Sequence, residues 1–386
     1  MFLSSRRLPA LFGLTLAGLL ALQQRVPLPQ SLADEGYRRL WAGAMNGPQG
    51  AVAAFQQALI SDPAFPYRWS DLGQALAAAG QTAQAQYCFN RAVERSPEAP
   101  QMAFRAASFY FGSGQTDAGL RLGAKILHQI PDYDDMIFGS YLRFAASGPS
   151  WDIGIGAGNM GNSSNARAAE SFFRFLLSRD DLAAGTLGWG WLEAHELASR
   201  TLARAWVEWL LARNHPAQAL AVWRQHIGPT SGVFNPGFET ATEGDGFDWQ
   251  VQPSPGVKVT PDDTVRHSGT RSLRLEFAAL DNLDYHHLSQ RVFLQPGRYE
   301  LSAWIKTESL STDEGLAWKI SGAATEVRTP AVTGTHSWTR VAAVLNVPSP
   351  ARVVTVQMVR KPSWHFDNQP RGTVWTDDLE LRRMDP

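Results

Sequence analysis

The 386-residue chain has a single cysteine, Cys88, so neither a disulfide framework nor a cysteine-built metal site can form within it. Cys88 lies in a predicted helix beside Phe89, the setting of a small buried hydrophobe rather than a reactive thiol. Charge of one sign is missing too. With 35 Lys and Arg against 36 Asp and Glu, the formal net charge is −1, and nothing global pulls the chain toward nucleic acid or an anionic lipid surface. Catalytic signatures are also wanting: there is no His-Glu-x-x-His, no Gly-x-Ser-x-Gly and no Walker loop. Strand alternation puts His286 and His287 on opposite faces, wrong for joint metal ligation, and the pairs Asp180/Asp181 and Asp262/Asp263 fall in helix-start and turn contexts that suit caps. The expectation is a protein that is not an enzyme.

What is present begins at the N-terminus. Arg6 and Arg7 precede LPALFGLTLAGLLAL, residues 8–22, an uncharged apolar run shaped like a secretory signal and short for a full membrane span. It predicts export, to the periplasm or anchored at the inner membrane of a bacterial envelope. Residues 1–30 are read as signal peptide or signal anchor, because QQRVPLPQ behind the run offers no small-x-small cleavage site and both outcomes stay open. A lipid-modified anchor is excluded, since no cysteine follows.

Residues 66–99 place Trp69, Leu72, Gly73, Leu76, Gly80, Ala85, Phe89, Ala92 and Pro97 at the spacing of a tetratricopeptide repeat, about 34 residues per unit. Ala51, Phe55, Ala58 and Pro63 repeat part of the pattern upstream, and Tyr110, Gly114 and Pro131 repeat it downstream. Three units therefore span about 32 to 133, and the degenerate outer ones suit the ends of an array whose units bury their faces on neighbours. Further helices are predicted over 134–146, 166–178, 187–212 and 216–227, read as more pairs of the same solenoid in a domain spanning 31–228. The resemblance to the repeat family implies a groove for a protein partner, lined by Tyr67, Ser70, Gln74, Phe104, Ser108 and Phe111.

After GPTSGV the pattern changes to short alternating runs such as SLRLEF, RYELSAWI, TRVAAVLNV and RVVTVQMV, separated by Pro, Gly, Asp and Ser turns. Period-two alternation at this spacing predicts an antiparallel β-sandwich over 233–386. Parity sorts its side chains. Tyr299, Leu301, Ala303 and Ile305 face the core with Leu288, Val292 and Leu294, and Trp318 and Trp375 are also assigned to it. Trp304, Tyr285, His287, Arg291 and Gln357 face outward, and Trp364 and Phe366 sit on a loop. Sugars bind by stacking on aromatic rings with polar contacts beside them, so Trp304, Tyr285, His287, Arg291, Gln357 and Trp364 are the candidate carbohydrate-binding residues. Packing beneath loops is the alternative for each aromatic.

VFNPGFET, GFDWQV, VRHSGTRSLRLEF, HSWTRVAAVLNVP and TVWTDDLEL, in this order, resemble the carbohydrate-binding modules of many cellulases and xylanases, a galactose-binding-like jelly roll. That resemblance implies a structural calcium, which on this sequence would be held by Glu239, by the stretch from His267 to Gly269, and by Asp377 or Asp378. Hard cations need oxygens and a carboxylate, and Asp377 shares the parity of Leu379, which would point it inward. Capping of turns is the alternative for that carboxylate. The fold expected is an all-α tetratricopeptide-type solenoid followed by an all-β jelly-roll sandwich.

One motif is set aside. Gly156, Gly158 and Gly161 spell a dinucleotide fingerprint, but SGPSWDIGI before them is too turn-rich for a central strand, and Asp180 arrives with no second strand between. No nucleotide is expected. The chain resembles bacterial accessory proteins of exopolysaccharide synthesis or export, implying an adaptor with a protein partner in the repeat groove and a polysaccharide at the sandwich. A purely structural scaffold and a glycan-active enzyme are the alternatives.

Overall fold

A computed structural model of the chain describes residues 29–41, 47–144, 148–155, 163–228, 232–366 and 368–384. The signal-like run and the three glycines of the fingerprint lie outside these. Among the described residues no helix is long and apolar enough to cross a membrane. The chain divides into two compact units, Met1–Leu197 and Ala198–Pro386.

The first unit is helical. Its elements are α1 (Pro29–Trp41), α2 (Gly47–Ser61), α3 (Pro66–Ala78), α4 (Thr82–Arg95), α5 (Pro100–Gly112), α6 (Thr116–Gln129), α7 (Asp134–Phe144), α8 (Gly148–Ile155), α9 (Ser163–Ser178) and α10 (Leu182–Ala194). The chain turns sharply between partners because Pro66 and Pro100 open α3 and α5, where a missing N–H costs nothing, while Gly80 and Gly114 take φ +77° behind the preceding helices. Gly73 lies under the Phe89 ring, where an added Cβ would stand 3.2 Å from it, so α3 and α4 approach more closely than an alanine would allow. The pairs are held in register by a polar chain of like-placed residues on α1, α3 and α5. Tyr37 donates its hydroxyl to Asp71, and Arg105 donates to Asp71 Oδ1 at 2.7 Å and to the Tyr37 hydroxyl at 3.0 Å. Burial and the Asp71 carboxylate push the Tyr37 hydroxyl up to about 12.

Beyond α6 an aromatic cluster takes over from the repeat, with Tyr141 donating to the Gly154 carbonyl at 2.7 Å and Trp151 meeting Phe172 edge-on at 4.9 Å. The single helix expected over 187–212 is two, α10 and α11 (Arg200–Ala212), because Glu196 adopts φ +59° and Ser199 then caps α11 by accepting from Leu202 N. Asp181 caps α10 in the same way, as its helix-start context implies.

The second unit opens with α11 and α12 (Pro216–His226), which pack on a sandwich of two antiparallel sheets and so belong with the strands rather than with the preceding helices. The strands are β1 (Gln250–Val251), β2 (Val257–Asp262), β3 (Ser272–Ala278), β4 (Tyr285–Leu294), β5 (Gly297–Leu310), β6 (Ala317–Ser321), β7 (Val327–Arg328), β8 (Gly334–Val347), β9 (Arg352–Arg360) and β10 (Arg371–Met384). The first sheet has the order β1-β4-β9-β6-β7 and the second β2-β3-β10-β5-β8. Between them lie Trp318, Leu288, Val292, Leu301 and Ile305, positions that parity assigns to the core, together with Trp249, Val354 and Val356. Arg204 of α11 binds the loop before β1, reaching Glu243 at 3.0 Å, Asp245, and Asp248 at 3.6 Å, while Trp223 of α12 meets Phe234 and Phe247 edge-on.

Trp375 departs from its assignment. The register shifts between Asp377 and Glu380, so one extra residue of β10 opposes β5 and the parity of everything before it is inverted. Trp375 lies on the outer face beneath Arg274 and Lys306, 5.8 and 5.7 Å from its ring, and donates its indole N–H to Asp262 at 2.8 Å. Burial of Asp262 opposes ionisation, but donors from Thr264 Oγ1, the Trp375 indole and the amides of Thr264 and Val265 outweigh it and hold the carboxyl well below its usual range. A depressed carboxyl stabilises the fold above its unfolded pKa, and that contribution fades as pH falls toward the folded value. Asp262→Ala is expected to cost about 2–3 kcal/mol at neutral pH. The deficit relative to wild type should shrink below about pH 4 in urea unfolding series; a deficit independent of pH would show that the ionised carboxylate is not what stabilises this corner.

Candidate functional site

Three loops meet at one end of the sandwich: 279–284 before β4, 311–316 before β6 and 361–370 before β10. Arg360, at the end of β9, is almost fully buried among them. Its guanidinium donates to the carbonyls of Leu283 at 2.6 Å, Glu314 at 3.1 Å and Asn368 at 3.1 Å, and to Thr312 Oγ1 at 3.2 Å, so each loop is tied to one planar group. Burial lowers its pKa, while the carboxylates of Glu314, Asp313 and Asp284 counteract that. A second clasp is reciprocal: Asn282 Nδ2 donates to Ser363 O at 2.8 Å, and Ser363 N donates back to Asn282 Oδ1 at 2.9 Å. Ser363 also donates its hydroxyl to Asp313, and the Gln369 amide donates to Leu280 O at 3.3 Å.

On this fastened backbone stand Trp364, 99% exposed, and Phe366, 104% exposed, with exposed Leu280 on the neighbouring loop. Two of the largest apolar side chains in the sequence thus meet water although hydrogen bonds at Ser363 and His365 tie their segment down. Exposure of this kind marks a contact surface. Rings presented face-free beside His365, Asp313 and Asn282 can stack against the C–H face of a flat ligand and hydrogen-bond its polar edge.

The other expected carbohydrate-binding residues do not converge there. Tyr285 is fully buried against Phe277 instead of facing out, because β4 carries one extra residue against β9 between Tyr285 and Leu288, which inverts its parity. The same bulge undoes the expected opposition of His286 and His287, whose rings stack at 4.6 Å. Burial and the His286 charge lower the His287 pKa. Arg291 does lie on the outer face of the first sheet, but it is engaged by Glu208 of α11 and by the Gly246 carbonyl at 3.0 Å. Gln357 donates to His286 O at 2.6 Å. Trp304 is on the outer face of the second sheet, half-buried, with the His267 imidazole stacked on it at 3.9 Å.

The residues expected to hold calcium are brought together. Glu239 accepts from Thr270 N at 3.1 Å and from the Thr270 hydroxyl, and sits directly beside Gly269. Asp377 Oδ2 accepts from His267 N at 2.8 Å and Ser268 N at 3.1 Å, and Asp378 pairs with the His267 ring at 2.6 Å. Asp377 does not point into the sandwich: the β10 bulge turns it to the outer face opposite Trp304, where the covering loops bury it completely. Burial raises its pKa, and no Lys or Arg among the described residues pairs with it. Gly237 leaves room between the two carboxylates, since a Cβ there would stand 3.3 Å from Asp377 Oδ1 and 3.4 Å from Glu239 Oε1. Among the described residues no group of three or more His, Cys, Asp or Glu is arranged for a metal. Of the expected set only the Glu239 and Asp377 carboxylates face a common space, each already accepting from backbone N–H groups, while the His267 ring and Asp378 satisfy each other.

In the helical unit, Gln74, Phe104 and Ser108 line one hollow with Phe89, Arg105 and Phe109, of about 410 Å³. Tyr67 lies beside it under the Arg105 guanidinium. Ser70 and Phe111 do not line a groove. Ser70 is buried and accepts from Arg105 at 3.0 Å, and Phe111 is buried against Tyr141 and Phe144.

No protein-family model and no curated protein matches the chain. Among solved structures, TmCBM61 in complex with β-1,4-galactotriose matches 40% of this chain and 100% of its own length at 22% identity and a TM-score of 0.29. The CBM22-1–GH10 modules of endo-1,4-β-D-xylanase 10B from Clostridium thermocellum, complexed with xylohexaose, match 40% of this chain and 28% of their own length at 16% identity and 0.29. A family 16 carbohydrate-binding module matches 39% and 99% at 21% identity and 0.27. Likenesses this low carry no argument, and the sandwich stands on its own strand pairing.

Sequence reasoning passed over Arg360, although a signal was present: it shares parity with Val354, Val356 and Met358, and a charge on a core parity asks for partners. Asn282 and Asp313 carry no such mark. Arg360→Met keeps the length of the side chain and strands four acceptors, and is expected to cost about 3 kcal/mol or more. Limited proteolysis should then cut within 361–366, and Arg360→Lys should recover little because an ammonium cannot fork between three loops. Wild-type stability and protease resistance in both variants would show that the loops are held by something else.

Proposed function

We propose that this chain is a non-catalytic, exported adaptor whose β-sandwich, read as a jelly roll of the carbohydrate-binding-module type, binds polysaccharide. Its helical unit, read as a tetratricopeptide-type solenoid, takes a protein partner through the hollow at Gln74, Phe104 and Ser108. The setting is a bacterial envelope, with the chain serving exopolysaccharide or cell-envelope glycan synthesis or export. The observation that carries the reading is the pair Trp364 and Phe366, wholly exposed on a segment fixed by Arg360, Asn282 and Asp313. A protein that leaves two such rings in water forgoes their burial, roughly 1.5–3 kcal/mol for a buried Phe, and fixing them in place reduces the ordering cost of binding. Stacking on sugar rings uses that arrangement directly.

With it we propose a structural calcium held by the Glu239 and Asp377 carboxylates and neighbouring backbone carbonyls. Bound there, the ion supplies positive charge to two acids that share a small space, and it fastens the segment before β1 to β10.

Two outcomes test these readings. Trp364→Ala/Phe366→Ala in the full chain should weaken retention on xylan, galactan or the producing cell's own envelope polysaccharide in affinity electrophoresis by ~10-fold or more, with the melting temperature unchanged. Wild type running freely through every polysaccharide would remove the glycan half of the reading. Calcium titrated into chelated protein should raise the melting temperature, and Asp377→Asn should abolish the rise; no heat of binding and no thermal shift would end the calcium proposal.

A further inference from the structure

The outer face of the second sheet carries a trough of about 510 Å³ bordered by Ser302, Trp304, Arg340, Glu380, Arg382 and Pro236. Its shape follows from the register. Glu300, Ser302 and Trp304 are successive outward positions of β5. Trp304 lies opposite Arg340 of β8, Ser302 lies between Ala342 of β8 and Glu380 of β10, and Glu300 lies opposite Arg382 of β10. Ser302 and Ala342 thus keep the middle low, Glu380 flanks it on one side and taller side chains stand at the ends, with the Trp304 and Glu300 positions roughly 13 Å apart along the strand.

Each of the three β5 residues keeps an unused polar group. Ser302 is buried as a residue, yet no group among the described residues hydrogen-bonds its hydroxyl, which faces the trough. Open to the trough, that hydroxyl is free to donate to and accept from a partner outside the chain. Glu300 receives Arg340 at 2.6 Å and Arg382 at 3.5 Å on the same oxygen, Oε1, leaving Oε2 to accept. The Arg340 hydrogen bond leads the causes that lower its pKa, so it is ionised at neutral pH. The Trp304 indole N–H has no acceptor among the described residues, and its ring is stacked by His267 at 3.9 Å, which fixes its orientation.

We propose that this trough is a second glycan site, separate from the Trp364 loop, for one or two neutral pyranose rings. The row of donor, hydroxyl and acceptor, spread over roughly 13 Å with Glu300 just beyond the lining, can meet hydroxyls of two linked rings, and the Trp304 side supplies an apolar wall. Neutral rings are specified by the charges. Glu300, Asp378 and Glu380 offset Arg340, Arg382 and Arg383, with Arg340 and Arg382 shared with Glu300 and Arg383 donating to the Pro296 carbonyl, so no net charge is left to select a charged sugar. Two sites on one sandwich convert weak single contacts into avidity along a polymer.

The inference rests on the polysaccharide reading, and the test separates the two. Full-length protein is titrated calorimetrically with β-1,4-linked gluco-, xylo- and galacto-oligosaccharides of three to six units. Wild type should bind two oligosaccharides per chain. Trp364→Ala/Phe366→Ala should bind one, and adding Ser302→Leu, which fills the trough, or Glu300→Gln, which keeps its shape, should weaken that remaining site ~10-fold or more. Ser302→Leu alone should leave one site, with the melting temperature reported for each variant, and Glu300→Gln serves if the bulkier change unfolds the sheet. One oligosaccharide per chain in wild type, lost in the loop variant, would overturn the trough and leave the loop standing. Absence of binding in wild type would overturn both. Retention of the second site in Glu300→Gln would overturn Glu300 as its acceptor, and preference of that site for oligogalacturonate would overturn the assignment to neutral rings.

Discussion

The loop end of the sandwich depends on one buried guanidinium. Among the described residues no carboxylate is pressed against Arg360 as an ion-pair partner; its donors end on three backbone carbonyls and a hydroxyl from three separate loops. That choice has a physical reason. A planar group with five donors can satisfy carbonyls approaching from several directions, which no single neutral side chain can do. Burying the charge is costly, and the nearby acids Glu314, Asp313 and Asp284 offset part of that cost through space. The gain is a set of irregular loops tied to one another at several backbone atoms, on which exposed aromatics are presented.

A second cation does similar work on the far side of the first sheet. Arg204 gathers Glu243, Asp245 and Asp248 and lies 5.0 Å over the Trp223 ring, tying both helices that precede the sandwich to the loop that leads into it. Three acids around one arginine are not neutralised in full. The Asp245 carboxyl is raised by burial, against the pull of Arg204. The helices α11 and α12 therefore act as part of the β unit. Composition alone places a boundary where helix gives way to strand, but packing follows the buried aromatics and charges, and these cross that line.

Most of the fold was legible because alternation and the helical period report burial directly. The core of β4 and β5, the antiparallel sandwich and the paired helices before Pro131 follow from spacing. What misled parity was bulges. An extra residue in β4 moved Tyr285 into the core, and another in β10 moved Trp375 and Asp377 to the outer face. A bulge adds one residue to a strand without altering its composition, so nothing in the local sequence marks it. Site residues are less legible still, since Ser302, Glu300 and Arg340 become neighbours only through register, which one strand's sequence does not contain. Trp364 was readable as a loop aromatic, whereas the atoms that hold its loop come from segments about 50 and 80 residues away.

Which surfaces of the sandwich can act is settled by what already covers them. On the first sheet, Arg291 is taken by Glu208 and Gly246, Gln357 is turned onto a neighbouring carbonyl, and the row from Ser289 to Lys319 and Arg328 is polar. Lys319 and Arg328 share Glu326. Of the rings on that face, Phe293 is half-buried and the exposed His286 is stacked on His287. Aromatic surface remains at the loop end and, half-covered by His267, on the second sheet. The helices that give Arg204 its place occupy part of one sheet, so the surfaces proposed for recognition are a loop tip and the opposite face. Substitutions on the first sheet should then act through stability, and those at Trp364 or Trp304 through binding.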